Sequence, residues 1–274
     1  MVFLNFWNTV PENILEFFML SNNDRSLAVL EALLKDVNGC ALSQLSVDLD
    51  IPKSAMHRLL SSLKDMGYIY QDELTQHYKL TLKIASMGLA YLSSRSITET
   101  FQPLLNQLAE QSHELVRLGM IENENIIWIA KAQGAKSGLK YDPDSGGIAY
   151  LPASSCGLTY LSALNETDFS RIVEREGFEK AQSFGPNSPK NLAELKAMVQ
   201  DAKTRGYGLI SDTYELGMTA MAKIIVNPHT GKPFGTVSIA GPSVRLNEQR
   251  VEQLAPALVA TAEKIGEIIH LAHR

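Results

Sequence analysis

Lys53, Ser54, His57, Arg58 and Ser61 recur on one side of a single segment, Ile51 to Lys64. Wound as a helix, that segment sends Met56, Leu59, Leu60 and Leu63 to the opposite side. Lys64 joins the polar face, which then holds three fixed positive charges, small hydroxyls, a histidine and no acid. These groups on a rigid helix suit a DNA major groove, where phosphates position the charges and base edges are read by hydrogen bonds. On residue types alone the same face also fits a helix that is merely solvated.

A second candidate is Ser154-Ser155-Cys156-Gly157, where the N–H groups of a helix start and serine hydroxyls could seat a carboxylate. Simple N-capping explains the serines equally well. Cys156 has no histidine visibly paired with it, so a nucleophile is not assigned. His113-Glu114 opens like a zinc-protease motif, but Arg117 stands where the second ligand would be. Gly231-Lys232 lacks the upstream glycine of a phosphate loop, and Gly206 with Gly208 lacks the third glycine of a dinucleotide fingerprint. Cys40 and Cys156 supply neither a disulfide framework nor a zinc pair. No catalytic residue, metal or cofactor is therefore expected.

The elements that must position these residues read as follows. Asp24 to Lys35 is a helix with Leu27, Leu30, Leu33 and Leu34 facing in. Ser43 caps a short helix over Gln44 to Leu49, Asp50 suits a left-handed turn, and Pro52 suits a helix's first turn. Gly67 ends the basic helix. Tyr68 to Gln71 and Gln76 to Leu80 then form two strands around Asp72-Glu73-Leu74-Thr75. The outline is a winged helix-turn-helix, its wing able to touch phosphate or minor groove. Leu82 to Leu92 is apolar nearly all round, so this connecting helix needs a cover, either its own copy in a dimer or the same chain's C-terminal domain.

Beyond a polar joint at Ser93 to Ser96, Thr98 is expected to cap a helix running to about His113. A hairpin follows over Leu115 to Ile121 and Ile126 to Ala132, with Trp128 in the core, and then loops and short strands to Tyr150. Helices are expected from Ser154 to Leu164, Asp168 to Glu176 and Leu192 to Arg205, and a last one from Asn247 to Ala272. Strands are expected at Met218 to Val226 and Phe234 to Ala240. Helices mixed with an antiparallel sheet make the class α+β. Residues 1–23 are aromatic yet broken by Pro11, Glu12 and Glu16, consistent with an extra helix over Glu12 to Leu20.

Length and composition set the outer bounds. A chain of 274 residues with 45% hydrophobic content can bury two cores. Its net charge of −5 and pI near 5.7 argue against indiscriminate polyanion binding. Between Asp24 and Arg95 acids and bases balance, so DNA binding would rest on a local stripe and on two copies. There is no basic leader, cleavage site or long apolar run, which fits the cytoplasm and no membrane.

Several stretches resemble the IclR family of bacterial transcriptional regulators. They are Arg25 to Leu30, Leu42-Ser43-Gln44-Leu45, Ile51 to Leu60 and Gly67-Tyr68 in one half. In the other are Gly206-Tyr207-Gly208, Asp212 with Glu215-Leu216-Gly217, Ser238 to Ser243, and Arg245-Leu246. The resemblance implies an N-terminal winged helix-turn-helix domain, a connecting helix and a C-terminal GAF-like α/β effector-binding domain. The expected boundaries are 1–23 for the extension, 24–80, 81–96 for the linker, and 97–274.

By the same resemblance, effector contacts fall on Ser155 and Cys156, near Ser211 or Asp212, and on Ala220, Ser238 and Ala240, with Ser154 beside them. Ala55 stands where the family usually has Thr, and Asp50 replaces a common Gly. Pro152 and Leu158 stand where His and Lys are frequent, and Ala220 and Ala240 where some relatives place Cys and Ser. The expectation is a ligand-responsive regulator of metabolic genes, more a repressor than an activator. It would bind a double-stranded DNA operator and a small organic or sugar acid as a homodimer or dimer of dimers. The competing readings are an enzyme acting on a small carboxylate through the C-terminal domain, and a winged helix used for protein contacts.

Overall fold

The computed structural model describes residues 22–94, 97–143 and 145–272. The helix expected over Glu12 to Leu20 and the Arg95-Ser96 part of the polar joint lie outside them. The chain forms two compact units, the second beginning at Ile97.

In the first unit the helices are α1 (Asn22–Leu34), α2 (Leu42–Asp48) and α3 (Lys53–Asp65). A two-stranded antiparallel wing follows, β1 (Ile69–Gln71) against β2 (Tyr78–Leu80), with Tyr70 opposite Lys79. Val29, Leu45, Met56, Leu60 and Ile69 form its dry centre. Each such side chain withdrawn from water contributes about 1.5–3 kcal/mol.

Three local expectations are corrected here. On α1, Val29 and Leu33 face in, whereas Leu27 and Leu34 are exposed; the buried stripe is rotated from the run of leucines. Ser43 does not cap α2, because that helix starts earlier and its first amides bond to the Ala41 carbonyl. The wing's turn is wider than four residues, closing through a left-handed Gln76 with φ +59°.

α4 (Lys83–Ser94) leaves Met87, Leu89 and Tyr91 exposed within this unit, as is Leu82 just before it. Its first residues are anchored there. Lys83 donates to the Met66 carbonyl at 2.6 Å and lies 4.4 Å from the centre of the Tyr68 ring.

The second unit is a five-stranded antiparallel sheet ordered β4-β3-β7-β6-β5. Its strands are β3 (Leu115–Glu122), β4 (Asn125–Gln133), β5 (Gly208–Ser211), β6 (Met218–Val226) and β7 (Pro233–Pro242). α5 (Ile97–Ser112) and α9 (Glu248–Ala272) cover one face, packing on Val116, Leu118, Met221, Val237 and Ile239. Thr98 lies inside α5. α6 (Ser155–Leu161), α7 (Glu166–Glu176) and α8 (Leu192–Arg205) belong to the other face, with Trp128, Ala220, Ala222 and Ala240.

Successive residues of a strand point to opposite faces. This is why Val116 and Leu118 enter one core while Arg117, between them, faces the other. Glu114 and Arg245 join the start of β3 to the turn before α9 with bonds of 2.6 and 2.8 Å. No helix among the described residues is long and apolar enough to cross a membrane.

Candidate nucleic-acid interface and ligand cavity

The interface begins with how α3 is held. Asp50 takes φ +48° in the turn, and the Ser46 hydroxyl donates to the Ile51 carbonyl at 2.6 Å. Pro52 is the N-cap, one position earlier than a first-turn residue, and its carbonyl accepts from Ala55 and Met56. At the far end Gly67, φ +74°, closes a two-bond cap: its N–H reaches the Lys64 carbonyl and that of Tyr68 reaches Leu63, each at 2.9 Å.

Met56, Leu60 and Leu63 are buried, Leu59 is half-buried, and Lys53, Ser54, His57, Arg58, Ser61 and Lys64 are all exposed. Among the described residues neither Lys53 nor Arg58 has an ion-pair partner. The wing differs. Asp72 accepts from Thr75 and from Lys79, whose ammonium lies 3.1 Å away. The Thr75 amide, then Lys79 and the Thr75 hydroxyl, hold this carboxyl well below the usual range. The wing tip thus shows Glu73 and Leu74 with its lysine engaged, and the positive face of this unit is α3.

In the second unit a small cavity, about 20 Å³, opens between the sheet and α6. Ser154, Ser155 and Cys156 line it from α6, and Ala220 and Ala240, register partners on β6 and β7, line its floor. The structure brings these five expected effector residues together. Asp212 and Ser238 are not in that lining. Asp212 sits in a left-handed turn, φ +53°, where its carboxylate accepts from the Gly217 amide at 2.6 Å. Ser238 is buried directly opposite Arg117 in the β3–β7 ladder, and its hydroxyl has no partner. Ser154 accepts from the Gly157 amide at 3.0 Å, so its hydroxyl works as the N-cap of a two-turn helix.

The remaining walls are aromatic and apolar, with one charge. Trp128, Tyr141 and Tyr214 line the cavity with Ile210 and Met218. The Trp128 and Tyr214 rings meet edge to face at 6.2 Å, and Phe184 continues the wall from Tyr214. Burial raises the phenols of Tyr141 and Tyr214, which keeps them protonated as donors; the Arg117 charge opposes this shift in part. Arg117 is 6% exposed and its guanidinium lies 3.8 Å from the centre of Trp128.

Residues 24–73 match the family model "IclR helix-turn-helix domain", and residues 89–267 match "Bacterial transcriptional regulator IclR C-terminal". The chain belongs to the IclR family. It is a DNA-binding transcriptional regulator and not an enzyme. The acetate operon repressor of Salmonella typhimurium is 27% identical over 243 residues, spanning 88% of this chain and 87% of that protein. The Pca regulon regulatory protein of Pseudomonas putida is 26% identical, spanning 88% and 81%.

Among solved structures, an IclR-type regulator from Alicyclobacillus acidocaldarius shares the fold with a TM-score of 0.77 at 19% identity, covering 91% of this chain and 98% of that one. An IclR homologue from Microbacterium hydrocarbonoxydans, complexed with 4-hydroxybenzoate, has a TM-score of 0.72 at 19% identity, covering 90% and 100%.

Within this IclR-family chain, sequence reasoning took Trp128 only as core and gave no role to Arg117, Tyr141 or Tyr214. One signal was available. An arginine flanked by Leu115, Val116 and Leu118 in a strand covered on both faces has no route to water.

Proposed function

We infer that this protein is a repressor that binds operator DNA as a homodimer and answers to a small organic or sugar acid in the second unit. The observation that carries the DNA reading is the outer face of α3. Lys53, Ser54, His57, Arg58 and Ser61 stand exposed on a helix whose other side is fixed by Met56, Leu60 and Leu63. Two such helices fit successive half-sites about 34–36 Å apart, or a multiple of that. Repression is favoured by the names of the relatives, and a cytoplasmic setting follows from work on DNA.

Two features support the dimer. The first unit carries balanced charge, so one copy holds DNA weakly. α4 and the residue before it also offer Leu82, Met87, Leu89 and Tyr91 for a second copy to cover. A second dimer bound to the first gives the tetrameric form.

The effector site is the cavity lined by Ser154, Ser155, Cys156, Ala220 and Ala240, and Asp212 and Ser238 stay outside that lining. At about 20 Å³ the cavity has room for one or two waters in this conformation, so an acid widens it on entering. The 4-hydroxybenzoate held by the neighbour is a small acid of this kind. Binding there shifts operator affinity by as much as the acid prefers one placement of the winged units over another.

The test is to capture the genomic fragments the purified protein retains and footprint them. A protected inverted repeat with half-sites one turn apart, or a multiple, is the expected result. Uniform retention of all fragments at physiological salt would refute operator recognition.

A further inference from the structure

Among the described residues, Arg117 is the one charged side chain in the wall of the cavity. It is buried to 6% exposure, and its Nε and Nη1 have no hydrogen-bond partner among the described residues. Among the described residues no carboxylate pairs with it. The same unit shows how a structural arginine is treated: Arg245 donates from Nε and Nη2 to both oxygens of Glu114. A guanidinium held away from water without a counter-charge is costly, and an anion entering the cavity supplies what is missing. Two more buried groups close by also lack partners, the Trp128 Nε1 donor and the Ser238 hydroxyl.

The rest of the wall limits what the anion can be. One fixed positive charge suits a monoanion; a phosphate dianion would keep an unmatched charge. The guanidinium lies over the Trp128 ring, 3.8 Å from its centre, a cation–π contact that holds the charge at the cavity wall. Ile210, Met218, Ala220 and Ala240 offer no hydrogen bonds from their side chains, so hydroxyls of a polyol laid against them would be stranded.

We propose that Arg117 anchors the ligand, and that the ligand is a small monocarboxylate with an apolar body rather than a sugar acid. The carboxylate meets the Arg117 guanidinium, and the body lies among Trp128, Tyr214, Ile210 and Met218. This rests on the cavity being the effector site and narrows the ligand class given above.

The experiment uses the full chain and calorimetry with acetate, butyrate, benzoate and phenylacetate, their neutral amides, and gluconate as a sugar acid. At least one monocarboxylate binds, and its amide and gluconate bind at least about tenfold more weakly, given the loss of a charged partner. Arg117→Gln weakens that carboxylate roughly a hundredfold, the scale for removing one partner of a buried charge pair, and Arg117→Lys recovers part of it.

Arg117→Met controls for a packing role. It melts no lower than the wild type, since an uncompensated charge is gone, and the carboxylate no longer raises its Tm. Equal binding by wild type and Arg117→Gln, equal binding of the amide or gluconate, or no monocarboxylate binding at all overturns the proposal. So does a marked drop in Tm for Arg117→Met. Operator binding is followed in the same samples: a carboxylate that binds through Arg117 yet leaves operator affinity unchanged defeats the effector reading and leaves the anchoring role standing.

Discussion

Arg58 lies on the exposed face of α3, one turn beyond Ser54, where an arginine fork can meet the O6 and N7 of a guanine. Its neighbour His57 and the leading Lys53 lack its planar, bidentate geometry. Arg58→Ala is expected to weaken operator binding by about 1–3 kcal/mol and to relax selectivity at one base pair. A gel shift at fixed salt against the operator and a point-changed copy measures both. An unchanged shift would remove Arg58 from the interface. A loss equal on both sequences would make it a phosphate contact. Arg117 is the opposite kind of residue, a cation whose meaning comes from what is absent around it rather than from its place in a pattern.

At the scale of elements, α6 is set by a backbone contact as well as by its buried side chains. The preceding 3-10 turn, Leu151–Ala153, runs so close beneath α6 that a Cβ on Gly157 would collide with the Leu151 carbonyl. Backbone on both sides leaves nothing able to yield. Gly157→Ala is expected to cost about 1–3 kcal/mol, as overpacking does. Gly67→Ala gives the contrast. Its φ of +74° strains an L-residue, but a Cβ there meets nothing, so the cost is nearer ~1 kcal/mol. Thermal melts of the two variants should order Gly157→Ala well below Gly67→Ala. The reverse order would mean that α6 can slide away from the turn.

At the scale of the molecule, the second unit is closed by contacts between residues far apart in the chain. Glu114 is 3% exposed and relies on Arg245, 131 residues later. The half-open Arg245 guanidinium tempers the pair's strength. Arg245→Ala strips a buried carboxylate of its two charged hydrogen bonds and is expected to cost ~1.5–3 kcal/mol in urea unfolding. Adding Glu114→Gln should recover part of the loss, because the neutral amide tolerates burial better. No recovery would mean that Arg245 acts through its own packing and not through Glu114.

Much of this was legible in the chain itself. Met56, Leu60 and Leu63 fall at helical spacing, Gly67 follows the last turn, and Asp50 tolerates a left-handed backbone; these are local properties, fixed within one or two turns of helix. The α+β class and the IclR resemblance followed from such patterns joined to short motifs in both halves. Local reading failed where neighbours decide. Leu27 and Leu34 are as apolar as Leu33, and only the packing of α1 on α3 and β2 selected Val29 and Leu33 for burial. β5 is four residues long, too short for its alternation to show, and exists because β6 pairs with it.

The cavity belongs to the same group. Ser154 to Cys156, Ala220 and Ala240 come from three separate stretches, and the sheet brings them to one space. The sequence by itself determined which helix is amphipathic and carries the positive stripe, because periodicity is written in adjacent turns. Tertiary structure alone decided that Arg117 is enclosed with no counter-ion among the described residues. Pairing of a charge depends on every segment that folds around it, and no window of sequence contains them all.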